Sequence, residues 1–262
     1  MAASLDQMLD STRRGLPSLR ERRVALEREA AARPRPPSLA AALRRDRLAV
    51  VAEVKRRSPS AGVIRDDLDP RARALLYARH GAAAISVLTD RTHFAGSVDD
   101  LRAAASEVDV PLLRKDFILD ELQVIEARAA GAAAVLLIVR ALAPERLAAL
   151  LACARGAGLE ALVEVHTNPE LDRALSAGSE IVGVNSRDLD TFSIDVRAAW
   201  ELLARVPAEL VAVAESGMKL PEDAERAAAA GADAILVGTA LSAAADPAGL
   251  LRRFSQVSRH GR

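Results

Sequence analysis

The sequence is poor in cysteine and contains no long apolar segment. Its single cysteine, Cys153, excludes an internal disulfide, as is usual for proteins of a reducing compartment. No apolar run approaches the ~20 residues of a membrane-spanning helix, and the N-terminus lacks the apolar core of a secretion signal. The four histidines are scattered without metal-ligand spacing. We therefore expect a cytoplasmic protein with no metal site and no membrane partner.

The chain also lacks an excess of charge and is poor in aromatic residues. Its 36 basic residues balance its 36 acidic residues, and aromatic residues make up only 2% of the composition. Proteins that bind nucleic acid usually carry a basic surface, often with aromatic side chains on which bases stack. We therefore expect no nucleic-acid partner.

Lysine is scarcer still. Only three of the 36 basic residues are lysines, namely Lys55, Lys115 and Lys219. Arginine stays protonated in proteins, whereas the pKa of a lysine can fall far enough for it to exchange a proton. Lys55 and Lys115 end apolar segments, which indicates that they are kept for a function. Lys219 lies in a polar stretch, where chance retention explains it equally well.

The segment AVVAEVKRRSPS, residues 49–60, begins apolar and ends charged. Its apolar part is too short for a helix and is typical of a strand buried on both faces of a parallel sheet. Glu53 and Lys55 are two positions apart, so on a strand they point to the same side. A buried carboxylate and ammonium are costly unless they are paired or used. With Ser58 in the turn that follows, the segment predicts one wall of an active site.

A repeated unit runs through the rest of the chain. A helical pattern ends at a glycine, and small residues and an apolar strand follow, as in RHGAAAISVLT, AAGAAAVLLIV and AAGADAILVG. In all, the pattern predicts eight strands, at residues 48–54, 83–88, 110–114, 133–138, 160–164, 181–185, 210–214 and 234–237.

Strands that alternate with helices pair in parallel through right-handed crossovers. Eight units in 262 residues favour an α/β fold of the (β/α)8 TIM-barrel type, with residues 1–262 as one domain. An open doubly wound sheet is the alternative, although no G-x-G-x-x-G follows the first strand. Residues 1–47 are predicted to form an N-terminal helical extension over or beside the carboxyl-terminal mouth. Its first helix, at residues 4–31, is expected to be interrupted at Gly15–Pro17.

The residues that end the predicted strands are mostly polar or charged. In a barrel, these ends meet at one mouth, where active sites lie. Acids, bases, an amide and two nearby phenylalanines indicate a site for a small molecule. The strand-end residues are Glu53, Lys55, Thr89, Asp90, Lys115, Asp116, Arg140, Glu164, His166, Asn185, Arg187 and Glu215, with Phe94 and Phe117 just beyond two of the strands.

Two hydroxyl-glycine pairs follow the last two predicted strands. Ser216-Gly217 and Gly238-Thr239 each precede a helical segment and can offer backbone N–H groups to an anion. In barrels, the loops after strands seven and eight are the usual phosphate site. The pairs therefore predict a phosphorylated small-molecule substrate.

Several segments together resemble a known family. AEVKRRSPS, ISVLTD with HFAGS, PLLRKDFI, LVEVH, VGVNSRDL, VAESGM and ILVG are similar, in order and spacing, to indole-3-glycerol phosphate synthase of tryptophan biosynthesis. The resemblance covers nearly the whole chain. It implies conversion of 1-(2-carboxyphenylamino)-1-deoxyribulose 5-phosphate to indole-3-glycerol phosphate, with release of carbon dioxide and water and without a metal or organic cofactor.

The resemblance also implies a role for each matching residue. Lys115 would be the general acid at the substrate carbonyl, and Glu164 the second acid/base group, acting around loss of the hydroxyl. Lys55 would contact the substrate carboxylate. The remaining expected roles are charge support by Glu53 and Glu215, orientation by Asn185 and Arg187, phosphate binding by Ser58, Gly217, Gly238 and Thr239, and contact with the aromatic ring by Phe94 and Phe117.

Four positions depart from the family pattern, namely Ala61, His93, Ser186 and Ala214. None is expected to transfer a proton. Two alternatives stay open. An isomerase of phosphorylated aminosugars would use Glu53 and Glu164 but leave Lys115 without a role, and a non-catalytic phosphate-binding barrel would not need the charged mouth. We expect a monomer or a weak homodimer.

Overall fold

Eight parallel strands close into a barrel in the computed structural model, which describes residues 4–260. Each strand pairs with the next, and the first pairs with the last, with Ala49 opposite Ala234. The closed ring confirms the predicted (β/α)8 barrel and excludes the open sheet. The strands are β1 Ala49–Val54, β2 Ala84–Leu88, β3 Leu112–Lys115, β4 Ala134–Ile138, β5 Glu160–Val165, β6 Ile181–Asn185, β7 Val211–Glu215 and β8 Ala234–Val237.

Helices alternate with these strands and begin and end at the residues that favour helix termini. Asp120, for example, accepts a hydrogen bond from Leu122 N at the start of one helix, which ends at Gly131 with φ 93°. Within residues 4–260, no helix is long and apolar enough to cross a membrane. The helices are α1 Leu5–Glu21, α2 Arg23–Ala32, α3 Leu39–Leu43, α4 Pro70–Arg79, α5 Arg91–Phe94, α6 Val98–Ala105, α7 Glu121–Ala130, α8 Pro144–Gly156, α9 Asn168–Ser176, α10 Val196–Leu203, α11 Pro221–Ala229, α12 Thr239–Ala243 and α13 Pro247–Ser255, with a 3-10 helix at Val139–Ala141 and a short hairpin of Arg57–Ser58 with Gly62–Val63.

Successive side chains of each strand point to opposite faces of the barrel wall. In β1, Val50 and Ala52 belong to the apolar layer between strands and helices, whereas Ala49 and Val51 belong to the barrel interior. Continuing that alternation, Glu53 also faces inward. The interior is therefore apolar along the middle of the barrel, and the carboxylates and lysines of the mouth lie where the strands end.

The N-terminal segment runs from one end of the barrel to the other. Helix α1 lies over the mouth. There, Leu5 N donates to Asp190 Oδ1 at 3.3 Å, and Ser11 Oγ lies 3.2 Å from Thr92 Oγ1. Helix α2 packs along α7. Helix α3 lies at the opposite end, since Ala40 N donates to Glu160 at the start of β5, at 2.8 Å. The predicted position over or beside the mouth is therefore wrong for α3.

The predicted interruption at Gly15–Pro17 is also wrong, because α1 continues through Pro17 and breaks only at Arg22. Proline removes one backbone hydrogen bond from a helix. Here Pro17 lies on an exposed part of α1, where water can bond the carbonyl that loses its partner, and Ser18 Oγ donates to Gly15 O at 2.9 Å. Among the strands, β3 begins two residues later than predicted.

Candidate active site

A cavity of about 570 Å³ opens at the carboxyl-terminal mouth of the barrel. The structure brings every predicted catalytic and substrate-binding residue to its wall. These residues are Glu53, Lys55, Ser58, Phe94, Lys115, Phe117, Glu164, Asn185, Arg187, Glu215, Ser216, Gly217, Gly238 and Thr239. The strand-end pattern predicted that the charged residues among them lie together, because inward-facing positions at the ends of parallel strands meet in a closed barrel.

Lys115 lies at the centre of the charged residues. Its Nζ is 3.2 Å from Glu164 Oε2 and 3.0 Å from Glu215 Oε2, and all three side chains are largely buried. Burial disfavours the ammonium, but Glu215, Glu164 and Glu53 outweigh it and raise the pKa of Lys115. This is opposite to the lowered pKa that we expected of a proton-exchanging lysine. In this arrangement Lys115 is a cation.

The two carboxylates beside Lys115 have pKa values shifted in opposite directions. Burial, together with repulsion from Glu164 and Glu53, raises the pKa of Glu215 to about 7 despite its bond to Lys115. Burial also acts on Glu164, but Lys115, His166 and the neighbouring amide of Asn185 outweigh it and lower its pKa. Near neutral pH, Glu164 is therefore ionised, whereas Glu215 exchanges a proton. Pairs of this kind allow one site to hold both an acid and a base.

Glu53 and Lys55 form a second ion pair, with Lys55 Nζ 2.7 Å from Glu53 Oε1. A β-carbon on Gly238 would lie only 2.0 Å from that carboxylate oxygen, so a glycine is needed there to make room for the pair. The sequence analysis assigned Gly238 to phosphate alone. It missed Gly183, where a β-carbon would lie 2.1 Å from Glu215 Oε1. A glycine inside a strand was the available signal, since it often marks a close approach.

One wall of the cavity is apolar. The rings of Phe94 and Phe117 are 6.4 Å apart between centroids and tilted by 46°. Asp90 fixes the first ring, because its Oδ1 accepts hydrogen bonds from the backbone N–H groups of His93 and Phe94. Met8 of α1 completes this wall. The sequence analysis did not identify Met8, because nothing in the local pattern of α1 indicates which strand ends it covers.

The loop after β7 has an unusual backbone. Ser216 and Gly217 follow one another with φ values of 65° and 77°. A non-glycine residue in this left-handed region is strained, and such strain persists where the surrounding structure requires it. In the loop after β6, Asn185 Oδ1 accepts from Arg187 N at 3.0 Å, and the Arg187 guanidinium donates to Phe192 O. These two bonds hold the loop after β6 in place at the rim.

Three other strand-end residues contact the site from behind and do not line the cavity. Thr89 bonds to Asp116, which does line it. Arg140 and His166 belong to a buried network behind Glu164. Their strand-end positions were predicted, but their contacts depend on loops far apart in the sequence.

Comparison with known proteins identifies the family. A sequence model described as indole-3-glycerol phosphate synthase matches residues 5–254. The chain belongs to this family. Indole-3-glycerol phosphate synthase 2 of Streptomyces coelicolor is 52% identical, with 86% of this chain and 90% of that protein covered. The indole-3-glycerol phosphate synthase of Chloroherpeton thalassium is 45% identical, over 90% of this chain and 94% of the relative.

Solved structures of more distant proteins share only the fold. A 3-hexulose-6-phosphate synthase from Salmonella typhimurium has a TM-score of 0.62 at 19% identity, with 80% of this chain and 97% of that one covered. Thiamine phosphate pyrophosphorylase from Pyrococcus furiosus has a TM-score of 0.59 at the same identity, over 81% of this chain and 95% of that chain. Both agree with a closed barrel.

The departures from the family pattern leave the charged centre intact. Ser186 is buried and its Oγ donates to Glu215 O at 3.2 Å, so it supports the end of β7. Ala214 lies in the apolar layer outside the barrel. His93 lies in α5, where its backbone N–H bonds to Asp90. Ala61 N donates to Ser58 Oγ at 3.1 Å in the loop after β1.

Proposed function

We propose that this chain catalyses the reaction of its family. The reaction closes a ring in 1-(2-carboxyphenylamino)-1-deoxyribulose 5-phosphate and releases carbon dioxide and water to give indole-3-glycerol phosphate. The observation that carries the proposal is the position of Lys115 between Glu164 and Glu215 at the base of the cavity. Bond formation to a carbonyl, followed by loss of a hydroxyl, requires placed proton donors and acceptors rather than a protein nucleophile.

Lys115 is the general acid of the first step in this proposal. As the ring carbon bonds to the substrate carbonyl carbon, the carbonyl oxygen gains negative charge and takes a proton from the Lys115 ammonium. The ammonium is available because the surrounding carboxylates keep it protonated. A substrate that separates Lys115 from Glu215 would weaken that stabilisation and make the proton easier to transfer.

Glu164 acts in the dehydration. The leaving hydroxyl needs one proton, and the neighbouring carbon must lose one. Glu164 is suited to accept the carbon-bound proton because its pKa is lowered and it is ionised. Lys115, 3.2 Å away, is suited to donate to the hydroxyl once a proton from solvent has replaced the one that it gave to the carbonyl oxygen. Glu53 and Glu215 supply the charge that holds the two lysines in place.

The rest of the cavity fits the remaining parts of the substrate. The Phe94 and Phe117 wall would contact the benzene ring, and Lys55, beside it in the cavity, would bind the carboxylate. Asn185 and Arg187 would orient the sugar chain. The phosphate would lie at the rim, bound by Ser58, Ser216, Gly217, Gly238 and Thr239.

The form of the active protein is also part of the proposal. We expect residues 1–262 to act as one domain, in the cytoplasm, as a monomer or a weak homodimer. One chain contributes every residue of the proposed site. No metal or organic cofactor takes part in the proposed steps.

Incubation of the purified protein with the carboxyphenylamino-deoxyribulose phosphate tests the activity. We expect an indole product, detected by fluorescence and by a mass that corresponds to loss of carbon dioxide and water. The aminosugar isomerase alternative predicts no such loss and turnover of an aminosugar phosphate instead. Binding without turnover of either compound would favour the non-catalytic barrel and contradict the proposal.

A further inference from the structure

His166 lies directly behind Glu164, on the side away from Lys115. Its side chain is 5% exposed, and its Nε2 is 3.6 Å from Glu164 Oε1. Lys115 contacts the other carboxylate oxygen, Oε2. Across the part of the chain that the structure describes, neither Glu164 Oε1 nor His166 Nε2 has a hydrogen-bond partner, although both atoms are buried. Two buried polar atoms therefore face each other, 3.6 Å apart, and neither is hydrogen-bonded in this arrangement.

Glu170 determines which imidazole nitrogen carries a proton. Its Oε2 accepts the backbone N–H of His166 at 2.7 Å and lies 3.3 Å from His166 Nδ1. Its Oε1 accepts from Arg140 Nε at 3.1 Å. Burial opposes ionisation, but the bonds from His166 and Arg140 outweigh it and lower the pKa of Glu170 to about 2. An ionised carboxylate can only accept hydrogen bonds, so Nδ1 is the nitrogen that keeps its proton.

With Nδ1 protonated, Nε2 carries a proton only when the imidazole is positively charged. Two arrangements then place one hydrogen bond between the facing atoms. Either Glu164 is a carboxylate and His166 an imidazolium, or Glu164 is a carboxylic acid and His166 is neutral. Any other occupancy of Oε1 and Nε2 places two lone pairs or two protons against each other in a buried site, which is costly.

We propose that His166 is a positioning residue that shares one proton with Glu164. In the resting site the shared proton is bonded to Nε2, so Glu164 is a carboxylate and the imidazolium is balanced by Glu170. The proton that Glu164 accepts from the substrate then bonds to Oε2, while Oε1 keeps the hydrogen bond from Nε2. No bond within His166 is made or broken, and no other reactant takes part. This inference rests on the proposed role of Glu164 in the dehydration.

The charged groups that face the imidazole come from three elements. Glu164 belongs to β5, Glu170 to α9, and Arg140 to the 3-10 helix after β4. Burial and Arg140 disfavour the imidazolium, but the bond to Glu170 and the charges of Glu164 and Glu170 outweigh them and raise the pKa of His166. Asp188 binds the other side of the Arg140 guanidinium at 2.9 Å and so reduces the repulsion. These interactions favour the charged arrangement as the resting one.

Nitrogen NMR of the full-length protein labelled with 15N-histidine tests the proposed arrangement directly. The signals of His166 are identified as those that are missing from the spectrum of His166→Gln. We expect His166 to lose its Nε2 proton only above the ordinary histidine pKa of about 6.5 and to keep Nδ1 protonated throughout. In Glu164→Gln, the His166 pKa should be lower. A neutral form that carries its proton on Nε2, or an unchanged pKa in Glu164→Gln, would overturn the proposal.

Turnover as a function of pH tests whether the shared proton matters. Glutamine at position 166 can donate a hydrogen bond to Glu164 but cannot take up a proton. We expect kcat of His166→Gln to fall roughly tenfold, with the acidic limb of its pH profile moved about one unit higher, since Glu164 loses a neighbouring cation. His80→Gln is the matched control, because His80 ends α4 outside the cavity. It should behave as wild type.

The two kinds of result separate this inference from the function on which it rests. Full turnover in Glu164→Gln would show that Glu164 does not act in the dehydration. The NMR spectra of the same proteins would still show which nitrogen of His166 carries the proton. A uniform loss of kcat in His166→Gln at every pH, without a shift of the acidic limb, would mean that His166 is only structural and would contradict the shared proton.

Discussion

The two ends of the barrel are stabilised in different ways. At the amino-terminal end, Leu39 and Leu43 of α3 are buried against the strands, and the charges are paired, as in Arg259 with Asp233 at 2.6 Å. At the mouth, three buried carboxylates surround two lysines, and Oε1 of both Glu164 and Glu215 is without a hydrogen bond among the described residues. Buried charges without full pairing reduce stability. The comparison indicates that one end contributes stability and the other retains reactive groups.

Truncation of a buried side chain at the amino-terminal end of the barrel should lower the free energy of unfolding with little effect on catalysis. Leu43 is fully buried. Removal of its side chain in Leu43→Ala should lower the free energy of unfolding by about 2–5 kcal/mol, because the site can collapse only partly. Urea unfolding gives the stability, and turnover per folded molecule gives the activity. If stability were unchanged while kcat fell severalfold, this division between the two ends would be wrong.

Gly217→Asp should have the converse effect at the mouth. A β-carbon at Gly217 would lie 2.8 Å from Val196, so Gly217→Ala carries the same backbone strain without a charge and is the control. We expect Gly217→Asp to bind inorganic phosphate at least about tenfold more weakly than Gly217→Ala, which corresponds to roughly 1.4 kcal/mol of repulsion. Calorimetric titration measures both. Equal affinities in the two variants would exclude phosphate from this loop.

Glu215 links the charge of the mouth to stability. Its pKa is raised from 4.5 to about 7 in the folded protein. The folded state therefore binds more protons than the unfolded state between these values, so the contribution of Glu215 to stability falls as pH rises from about 4.5 to 7. The loss is at most about 3 kcal/mol.

Comparison of wild type with Glu215→Gln isolates this contribution. Glutamine does not titrate, so the stability of the variant relative to wild type should increase between pH 5 and pH 8. Denaturant unfolding at a series of pH values provides the measurement. A relative stability that decreases over this range would mean that Glu215 is a stabilising carboxylate and that the raised pKa is wrong.

Much of the fold and of the site follows from short patterns. The helix, glycine and strand repeat indicates the barrel, and polar residues such as Lys115 and Glu164 at strand ends identify the mouth. The alternation of strand side chains then turns them inward.

Other features depend on contacts between distant segments, and no local pattern contains them. The position of α3 depends on its bond to Glu160, which is 120 residues away. The raised pKa of Lys115 comes from carboxylates on three other strands. For both, the stabilising group is close only after folding. The continuation of α1 through Pro17 could not be predicted for another reason, since the sequence does not show which part of the helix is exposed to water.

The substitution Lys115→Arg tests the central claim most directly, because it keeps the positive charge and removes the transferable proton. With the fold confirmed by circular dichroism and thermal melts, we expect turnover of the substrate to fall by about 10²–10⁴-fold. The loss of turnover in Lys55→Arg should be smaller if Lys55 mainly binds a carboxylate. Lys219→Arg should leave turnover nearly unchanged, since the backbone N–H of Lys219, and not its ammonium, makes the bond to Asp223. Near-wild-type turnover in a folded Lys115→Arg protein would contradict the role of Lys115 as general acid.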